Sequence, residues 1–493
     1  MDEVCILNVA GDARVVVPNI RGSLSAFIVL EQEDWFEDEI RFVRRWLKPG
    51  MRAMDVGANV GVYTVAMAKA VGGSGHVWAF EPTPATAECL QHSLDANEFD
   101  NVTLVRAAVS ERAGSMDFSL SRYAEENSVA KMGTVGEGVL RVATVTLDQM
   151  AADRGCTNID LVKLDVEGHE FEVIRGATEF LRTNSPLLMF EIRAGTTVDL
   201  RVLKPLAELG FGFYRLLPGM LCLEPFDQRQ AVDGYQLNLF ACKPERRQQL
   251  AADGFLAVPD LARAVTTAPQ AWHAYARDAI YARQLMPRWS SSADSAADAG
   301  STAQMGGLAA FAQSRDPART LAERVESLWY AVGQVAGAIR AKDTLARRIS
   351  LARLTWETGM RGAAIMSLSK AVNRVKAEAG DALAEPFLAP SQRYERLSVD
   401  APAGEWLESA VIEQYEKLRN FSSVFGGTSS LAVLEPLLGR PYCSAEMERR
   451  RQLVRMRAGL QEHPEPAPLL CLRSPENLNP GFWCAGGAAQ PQS

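Results

Sequence analysis

Residues 52–63 read Arg-Ala-Met-Asp-Val-Gly-Ala-Asn-Val-Gly-Val-Tyr, and the N-terminal half of the chain is organised around them. Ala53, Met54 and Val56 form a short apolar run suited to a strand buried on both faces of a parallel sheet. Gly57, Asn59 and Gly61 break that run within one tight turn. Val62, Val65, Ala66 and Ala70 then recur at helical spacing. Strand, glycine turn and helix together let the backbone approach a ligand and point free helix N–H groups at it. A phosphate-binding loop would end in Gly-Lys-Ser/Thr, whereas this turn ends Gly61-Val62-Tyr63-Thr64. A dinucleotide fingerprint would need glycines where Asn59 and Val62 stand. What remains is an acid, Asp55, followed by Gly-x-Asn-x-Gly.

Working outward, residues 4–30 alternate loosely and read as one or two edge strands. Phe36, Ile40, Val43 and Leu47 mark a helix stopped by Lys48-Pro49-Gly50. His76–Phe80 is a second strand, and Glu81-Pro82 follows it. Glu81 lies twenty residues after Gly61, the spacing of a βαβ unit whose second strand presents an acid beside the ligand. Ala87, Leu90 and Leu94 mark a helix, and Val102–Val109 reads as a third strand. Ser115–Leu120 and Val139–Leu147 suggest an antiparallel insertion around a polar segment, 121–138. Ile159–Leu164 ends at Asp165, and Lys163 within this apolar run is expected to pair with an acid. Gly168 opens a helix carrying Phe171, Ile174, Ala177 and Leu181. Leu187–Phe190 is a fifth strand before Glu191, and Phe211–Leu217 with Tyr235–Cys242 suggests an antiparallel pair finishing the sheet. The alternation predicts a doubly wound α/β domain, mostly parallel with an antiparallel edge strand, followed by an all-α region.

Asp55-Val-Gly-Ala-Asn-Val-Gly61 resembles the first motif of class I S-adenosylmethionine-dependent methyltransferases. Adding Phe80-Glu81-Pro82, Leu147-Asp148, Val162-Lys-Leu-Asp-Val-Glu-Gly168 and the stretch from Pro186 to Glu191, residues 35–243 resemble the FkbM family of methyltransferases. The resemblance implies a Rossmann-like methyltransferase fold, S-adenosylmethionine as methyl donor, and O-methylation of a hydroxyl on a glycan or natural-product small molecule. It places the donor at Asp55, Gly57, Ala58, Asn59, Gly61, Tyr63, Glu81, Pro82 and Ala108. Glu81 is suited to ribose because a carboxylate accepts hydrogen bonds from both hydroxyls. Met116 and Phe118 could border an adenine, although buried strand hydrophobes are the commoner explanation.

An alcohol is a weak nucleophile while protonated, so methylation is helped by a base or a metal. Asp165 at the strand end, Glu167 beside it and His169 in the following helical turn are the candidate catalytic residues. An imidazole titrates near ~6.5, which suits His169 to a base role. Glu191 at the next strand end is the candidate substrate contact. Asp165, Glu167 and Glu191 have the oxygen donors a hard divalent cation takes, but carboxylates alone do not commit the site to a metal.

The 493 residues bear a net charge of −8, which argues against a broad nucleic-acid or anionic-membrane footprint. Eight cysteines without a C-x-x-C pair suggest reduced thiols and a cytoplasmic setting. No apolar run approaches the ~20 residues that span a bilayer. The expected organisation is a lead-in at 1–34, the methyltransferase domain at 35–245 and a helical connector at 246–289. A low-complexity linker at 290–307, a helical domain at 308–461 and a loose tail at 462–493 complete it. Segment 345–358, a break at Gly359 and a second helical run resemble one tetratricopeptide-type unit, but no second copy recurs at a period of about 34 residues. The helical region is where a protein partner or substrate selection would reside. A rival reading makes that region the working module and the α/β half a degenerate scaffold.

Overall fold

The computed structural model describes residues 4–10, 12–18, 23–120, 128–129, 138–194, 197–292, 299–400 and 402–460. It divides into two compact units. One comprises 1–216, 221–232 and 236–256; the other comprises 217–220, 233–235 and 257–493.

The first unit opens with a two-stranded antiparallel ribbon, β1 (Val4–Val9) and β2 (Ala13–Pro18). The expected extended lead-in ends there, because Leu24–Gln32 is a helix, α1, capped by the Ser23 hydroxyl accepting from the Ala26 N–H. Every residue of α1 up to Glu31 is buried, so its sequence carries no polar face to betray a helical period. Next come α2 (Asp38–Trp46), β3 (Arg52–Val56), α3 (Val62–Val71), β4 (His76–Phe80), α4 (Pro84–Ala96) and β5 (Val102–Val105). The expected third strand breaks after Val105. Its last residues form β6 (Ala108–Val109), which joins β7 (Gly114–Leu120), β8 (Ser128–Val129) and β9 (Gly138–Val145) in a separate four-stranded sheet. Most of the polar segment 121–138 lies outside the described residues. After α5 (Leu147–Arg154) come β10 (Leu161–Leu164), α6 (Glu170–Arg175), α7 (Thr178–Thr183) and β11 (Leu187–Glu191). The short pair β12 (Arg193–Ala194) and β13 (Thr197–Val198) leads to α8 (Leu203–Glu208), β14 (Gly212–Leu217), β15 (Cys222–Pro225), β16 (Asn238–Cys242) and α9 (Pro244–Ala252).

The main sheet has the order β15-β14-β16-β11-β10-β3-β4-β5. The strands from β11 to β5 are parallel, and β16 runs antiparallel to both β11 and β14. The expected antiparallel pair is present, but β15 lies beyond it as the outer strand. Connections leave β3 towards β4 on one side, while β10 fills the other. This reversal makes a topological switch point, whose crevice opens at the carboxyl ends of β3 and β10. Apolar layers cover both faces: Phe42, Trp46, Val65 and Met67 on one, Ile174, Phe180, Phe190 and Leu206 on the other.

The second unit is helical. It contains α10 (Pro269–Asp278), α11 (Ile280–Ser292), α12 (Ala299–Ser314), α13 (Leu321–Ala341), α14 (Leu345–Glu357), α15 (Arg361–Ala382), α16 (Gln392–Glu395), α17 (Ala403–Arg419), α18 (Ser423–Gly426), α19 (Leu431–Leu434) and α20 (Ala445–Arg457). Residues 290–292 and 299–307, read in sequence as linker, belong to α11 and α12, and 293–298 lie outside the described residues. The composition misleads because small residues here serve helix contact. A Cβ on Gly307 would lie 2.6 Å from Val335 Cγ2, and one on Gly300 would lie 2.4 Å from Arg347 Nη1. The expected tail, 462–493, also lies outside the described residues.

Candidate active site

The turn after β3 is built by three left-handed residues in alternation, Gly57 (φ +82°), Asn59 (φ +51°) and Gly61 (φ +95°). Asparagine is among the few side chains that tolerate this region. Each glycine also lets something approach. A Cβ on Gly57 would lie 1.8 Å from the Asp165 carbonyl oxygen, and one on Gly61 would lie 2.3 Å from Leu90 Cδ1. Gly57 therefore permits the close contact between the β3 turn and the residue that ends β10. Gly61 permits α3 to start against α4. The Gly57 and Ala58 N–H groups both donate to the Phe80 carbonyl, at 3.1 and 2.9 Å, which ties the turn to the end of β4.

Glu81, the residue after β4, faces this turn. Its Oε2 accepts from the Asn59 N–H at 3.0 Å and its Oε1 accepts from the Thr83 N–H at 2.8 Å. Burial pushes its carboxyl up to about 7, against the pull of those two bonds. Two backbone donors thus fix the carboxylate plane at the switch-point crevice, with lone pairs left for a ligand. Pro82 follows, partly exposed. Ala58 instead packs with Ala79, Leu90 and Leu94, and Ala108 packs with Phe118 and Val142 in the small sheet. Met116 borders that same cluster.

A polar row runs along the carboxyl edge of the sheet face that α2 and α3 cover. Asp55, fully buried, accepts from the Thr64 hydroxyl at 2.6 Å and lies 3.5 Å from Lys163 Nζ. Lys163 also donates to Asp165 Oδ2 at 3.0 Å, and its ammonium lies over the Tyr63 ring, 4.9 Å from the centroid. The pairing expected from a lysine inside an apolar strand is therefore present. Burial works against the ammonium, yet Asp165, Asp55 and Glu37 outweigh it and hold Lys163 above the usual lysine range. Tyr63 donates to Glu37 Oε2 at 2.6 Å, and burial together with Asp165 pushes Glu37 up to about 7.

Next to Asp165, Glu167 is exposed, and Glu191 ends β11. One oxygen of each of Asp165, Glu167 and Glu191 lies within 4.8 Å of the others, a donor set that a divalent cation could occupy. Burial and the carboxylates of Asp165, Glu167 and Glu170 push Glu191 up to about 11, so it is a neutral acid at neutral pH. Glu170 turns away and serves the backbone. Its Oε1 accepts from the Val166 N–H at 2.9 Å, and burial raises it to about 7.

His169 precedes α6 as its N-cap. Its Nε2 is 2.9 Å from Ser110 Oγ and its Nδ1 is 3.4 Å from Glu172 Oε2, with the side chain 14% exposed. Both ring nitrogens are thus directed at protein groups. Leu147-Asp148 is likewise internal, since Asp148 accepts from the Phe180 N–H at 2.7 Å. Reading by motif gathered Asp55, Gly57, Asn59, Gly61, Tyr63, Glu81, Asp165, Glu167 and Glu191 at one edge of the sheet. It missed Glu37, which precedes α2 in a segment without a motif, and Asn238, which opens the antiparallel strand β16. The clue available was positional. Sites on open α/β sheets collect what stands at strand ends, whatever the strand's direction.

Three comparisons with known proteins find similar sequences and structures. Residues 55–213 match the family model described as the methyltransferase FkbM domain. Hexuronic acid methyltransferase AglP of Haloferax volcanii is 31% identical over 160 residues, covering 32% of this chain and 63% of that protein. The 2-O-methyltransferase NoeI of Sinorhizobium fredii is 29% identical over 150 residues, covering 27% of this chain and 60% of that protein. The chain thus spans under two thirds of the length of either relative. A crystal structure of methyltransferase FkbM from Methylobacillus flagellatus KT aligns with a TM-score of 0.28 at 15% identity, covering 44% of this chain and 58% of that one. Over residues 55–213 the chain is thus similar to the methyltransferase FkbM domain.

Proposed function

We propose that this chain is an S-adenosylmethionine-dependent methyltransferase that methylates a hydroxyl of a glycan or a natural-product-type small molecule. The observation that carries the reading is the pairing of the β3 turn with Glu81, whose carboxylate is fixed by the Asn59 and Thr83 N–H groups beside the switch-point crevice. The residues fit the donor. Glu81 would take the ribose hydroxyls, and the amino end of α3 behind Gly61 suits the methionine carboxylate. Asp55, Asp165 and Glu37 make the crevice anionic, which suits a molecule with a net positive charge. The name of one relative, a 2-O-methyltransferase, supports oxygen as the acceptor atom, and that of the other, a hexuronic acid methyltransferase, supports a sugar-type acceptor.

When bound, S-adenosylmethionine supplies a methyl group on a sulfonium sulfur. The chain's own contribution would be alignment: the residues around the crevice would hold the acceptor hydroxyl in line with that methyl group. Asp165, partly exposed and held by Lys163, is assigned the acceptor's proton. Glu191 is already protonated at neutral pH and so orients the acceptor without acting as a base. Glu167 stands at the exposed rim of the same group. His169 is assigned to positioning, since it joins the end of β6 to the loop that carries Asp165 and Glu167. Among the described residues no helix is long and apolar enough to cross a membrane. The helical unit is assigned the binding of a protein partner.

The test is incubation of the full chain with isotopically labelled methyl donor and fractionated glycans and small metabolites. Label should pass to a hydroxyl-bearing product whose mass rises by one CH₂. Label found only on nitrogen or carbon would overturn the O-methylation reading.

A further inference from the structure

The carboxylates around the crevice are short of positive charge. Lys163, itself 4% exposed, already serves two of them, at 3.0 Å from Asp165 Oδ2 and 3.5 Å from Asp55 Oδ1. Glu37 is a third acid, near enough to act on Lys163 and to be acted on by Asp165. It is held by neutral donors instead: its Oε2 accepts from the Tyr63 hydroxyl at 2.6 Å, and its carboxylate accepts from the Asn238 amide. Further along the edge, the charges that act most on Glu81 and Glu191 are other acids, Asp55 on the first and Asp165 with Glu167 on the second.

Tyr63 is the second residue of α3, the helix whose amino end suits the methionine carboxylate, and Glu81 suits the ribose. A donor held by those two ends carries its sulfur between them, within the field of these acids. The field acts without contact, because charges about 10 Å apart still interact appreciably at the effective dielectric of about 20 found in proteins. S-adenosylmethionine and S-adenosylhomocysteine share their carboxylate, ammonium and ribose. They differ only in the methyl group and the sulfonium charge that goes with it. We propose that the Glu37 carboxylate, placed behind Tyr63, makes the crevice select the sulfonium donor over the thioether that methyl transfer leaves, so that the spent molecule is released on losing its charge. This assignment rests on the methyltransferase reading. It makes Glu37 a specificity residue for donor over product, acting through its charge.

The experiment is calorimetric titration of the full chain with each of the two ligands in turn, without an acceptor. It is run at about pH 8.5, above the value of about 7 to which burial pushes Glu37. The wild-type chain should bind S-adenosylmethionine about tenfold more tightly than S-adenosylhomocysteine, the effect of one elementary charge about 10 Å away at that dielectric. Glu37→Gln keeps the shape but removes the charge. It should weaken S-adenosylmethionine about tenfold and leave S-adenosylhomocysteine within about twofold, which also shows that the variant is folded. Tyr63→Phe removes a hydrogen bond from Glu37 but leaves its charge, and should keep the preference. Four results overturn the assignment and leave the methyltransferase reading in place. They are a wild-type chain that binds the thioether as tightly as the sulfonium, an equal loss of both ligands in Glu37→Gln, no change of either in that variant, or loss of the preference in Tyr63→Phe. A wild-type chain that binds neither ligand overturns both.

Discussion

Gly57, Lys163 and His169 show how three single residues bear on the site. Gly57 combines a left-handed backbone with a position against the Asp165 carbonyl that leaves no room for a Cβ, so Gly57→Ala must push the β10 end away. The expected cost is about 1–3 kcal/mol in urea denaturation, together with weaker donor binding. A variant of wild-type stability would show that the two segments do not need this contact. Lys163 compensates Asp55 and Asp165 from a position 4% exposed. Lys163→Met leaves the fully buried Asp55 without its cation, for which about 3–5 kcal/mol is expected; a loss under 1 kcal/mol, roughly that of an exposed pair, would contradict the burial described. The sequence showed the oddity of Lys163 because an ammonium inside an apolar run needs a partner. It showed His169 only as a titratable group near an acid. Ser110, which takes up its Nε2, is fifty-nine positions away and could not be read. His169→Gln should therefore lower thermal stability while leaving the pH profile of turnover unchanged. Loss of a limb near pH ~6.5 would make the imidazole the base instead.

At the scale of elements, two strand ends and two helix starts supply an acidic group whose carboxyls are pushed upward by burial: Glu37, Glu81 and Glu170 to about 7 and Glu191 to about 11, from an ordinary value of 4.5. Each takes up its proton at higher pH in the folded chain than in the unfolded one. The stability they contribute is complete below 4.5 and is lost as pH rises through 7, and further for Glu191. The ligand-free chain should accordingly melt at progressively lower temperature from about pH 5 to about pH 8. Glu446 in the helical unit, drawn down to about 2 by Lys417 and Arg450 despite burial, contributes no slope in that window. Glu81→Gln and Glu170→Gln should flatten the decline, and a melting temperature that rises over this range would contradict the burial of the row. The acids at 55, 81, 165 and 191 were legible because parallel strands announce themselves as apolar runs with an acid at the end. Asn238 was not, because β16 runs the other way and meets the site with its first residue.

For the whole molecule, two units with different logic share one chain. The sheet unit was legible from its alternation of periods, apart from α1, whose buried faces hide the helical repeat, and β15, four residues long. The helical unit was legible only as helix, because its interior mixes apolar side chains such as Leu328, Ile349 and Trp406 with buried charge. Arg353 Nε donates to Glu357 Oε1 at 2.5 Å, Arg353 pairs with Glu395 at 2.8 Å, Arg315 pairs with Glu357, and Tyr275 donates to Glu395 at 2.7 Å. Buried arginines and glutamates look in sequence like solvent-facing residues, which blurs the boundary between the core and the surface of these helices. Glu357→Leu should remove the carboxylate that Arg315 and Arg353 share, leave Arg315 without this partner, and cost the unit about 3–5 kcal/mol by denaturant titration; an unchanged midpoint would show that the network is not buried in solution.

The central claim is that the β3 turn and Glu81 together hold the methyl donor. Calorimetric titration of the full chain with S-adenosylhomocysteine tests it most directly. Saturable one-to-one binding is expected, weakened about tenfold or more by Glu81→Ala without loss of fold, because a buried carboxylate–ribose contact is removed. No binding to the wild-type chain, or equal binding to Glu81→Ala, would contradict it.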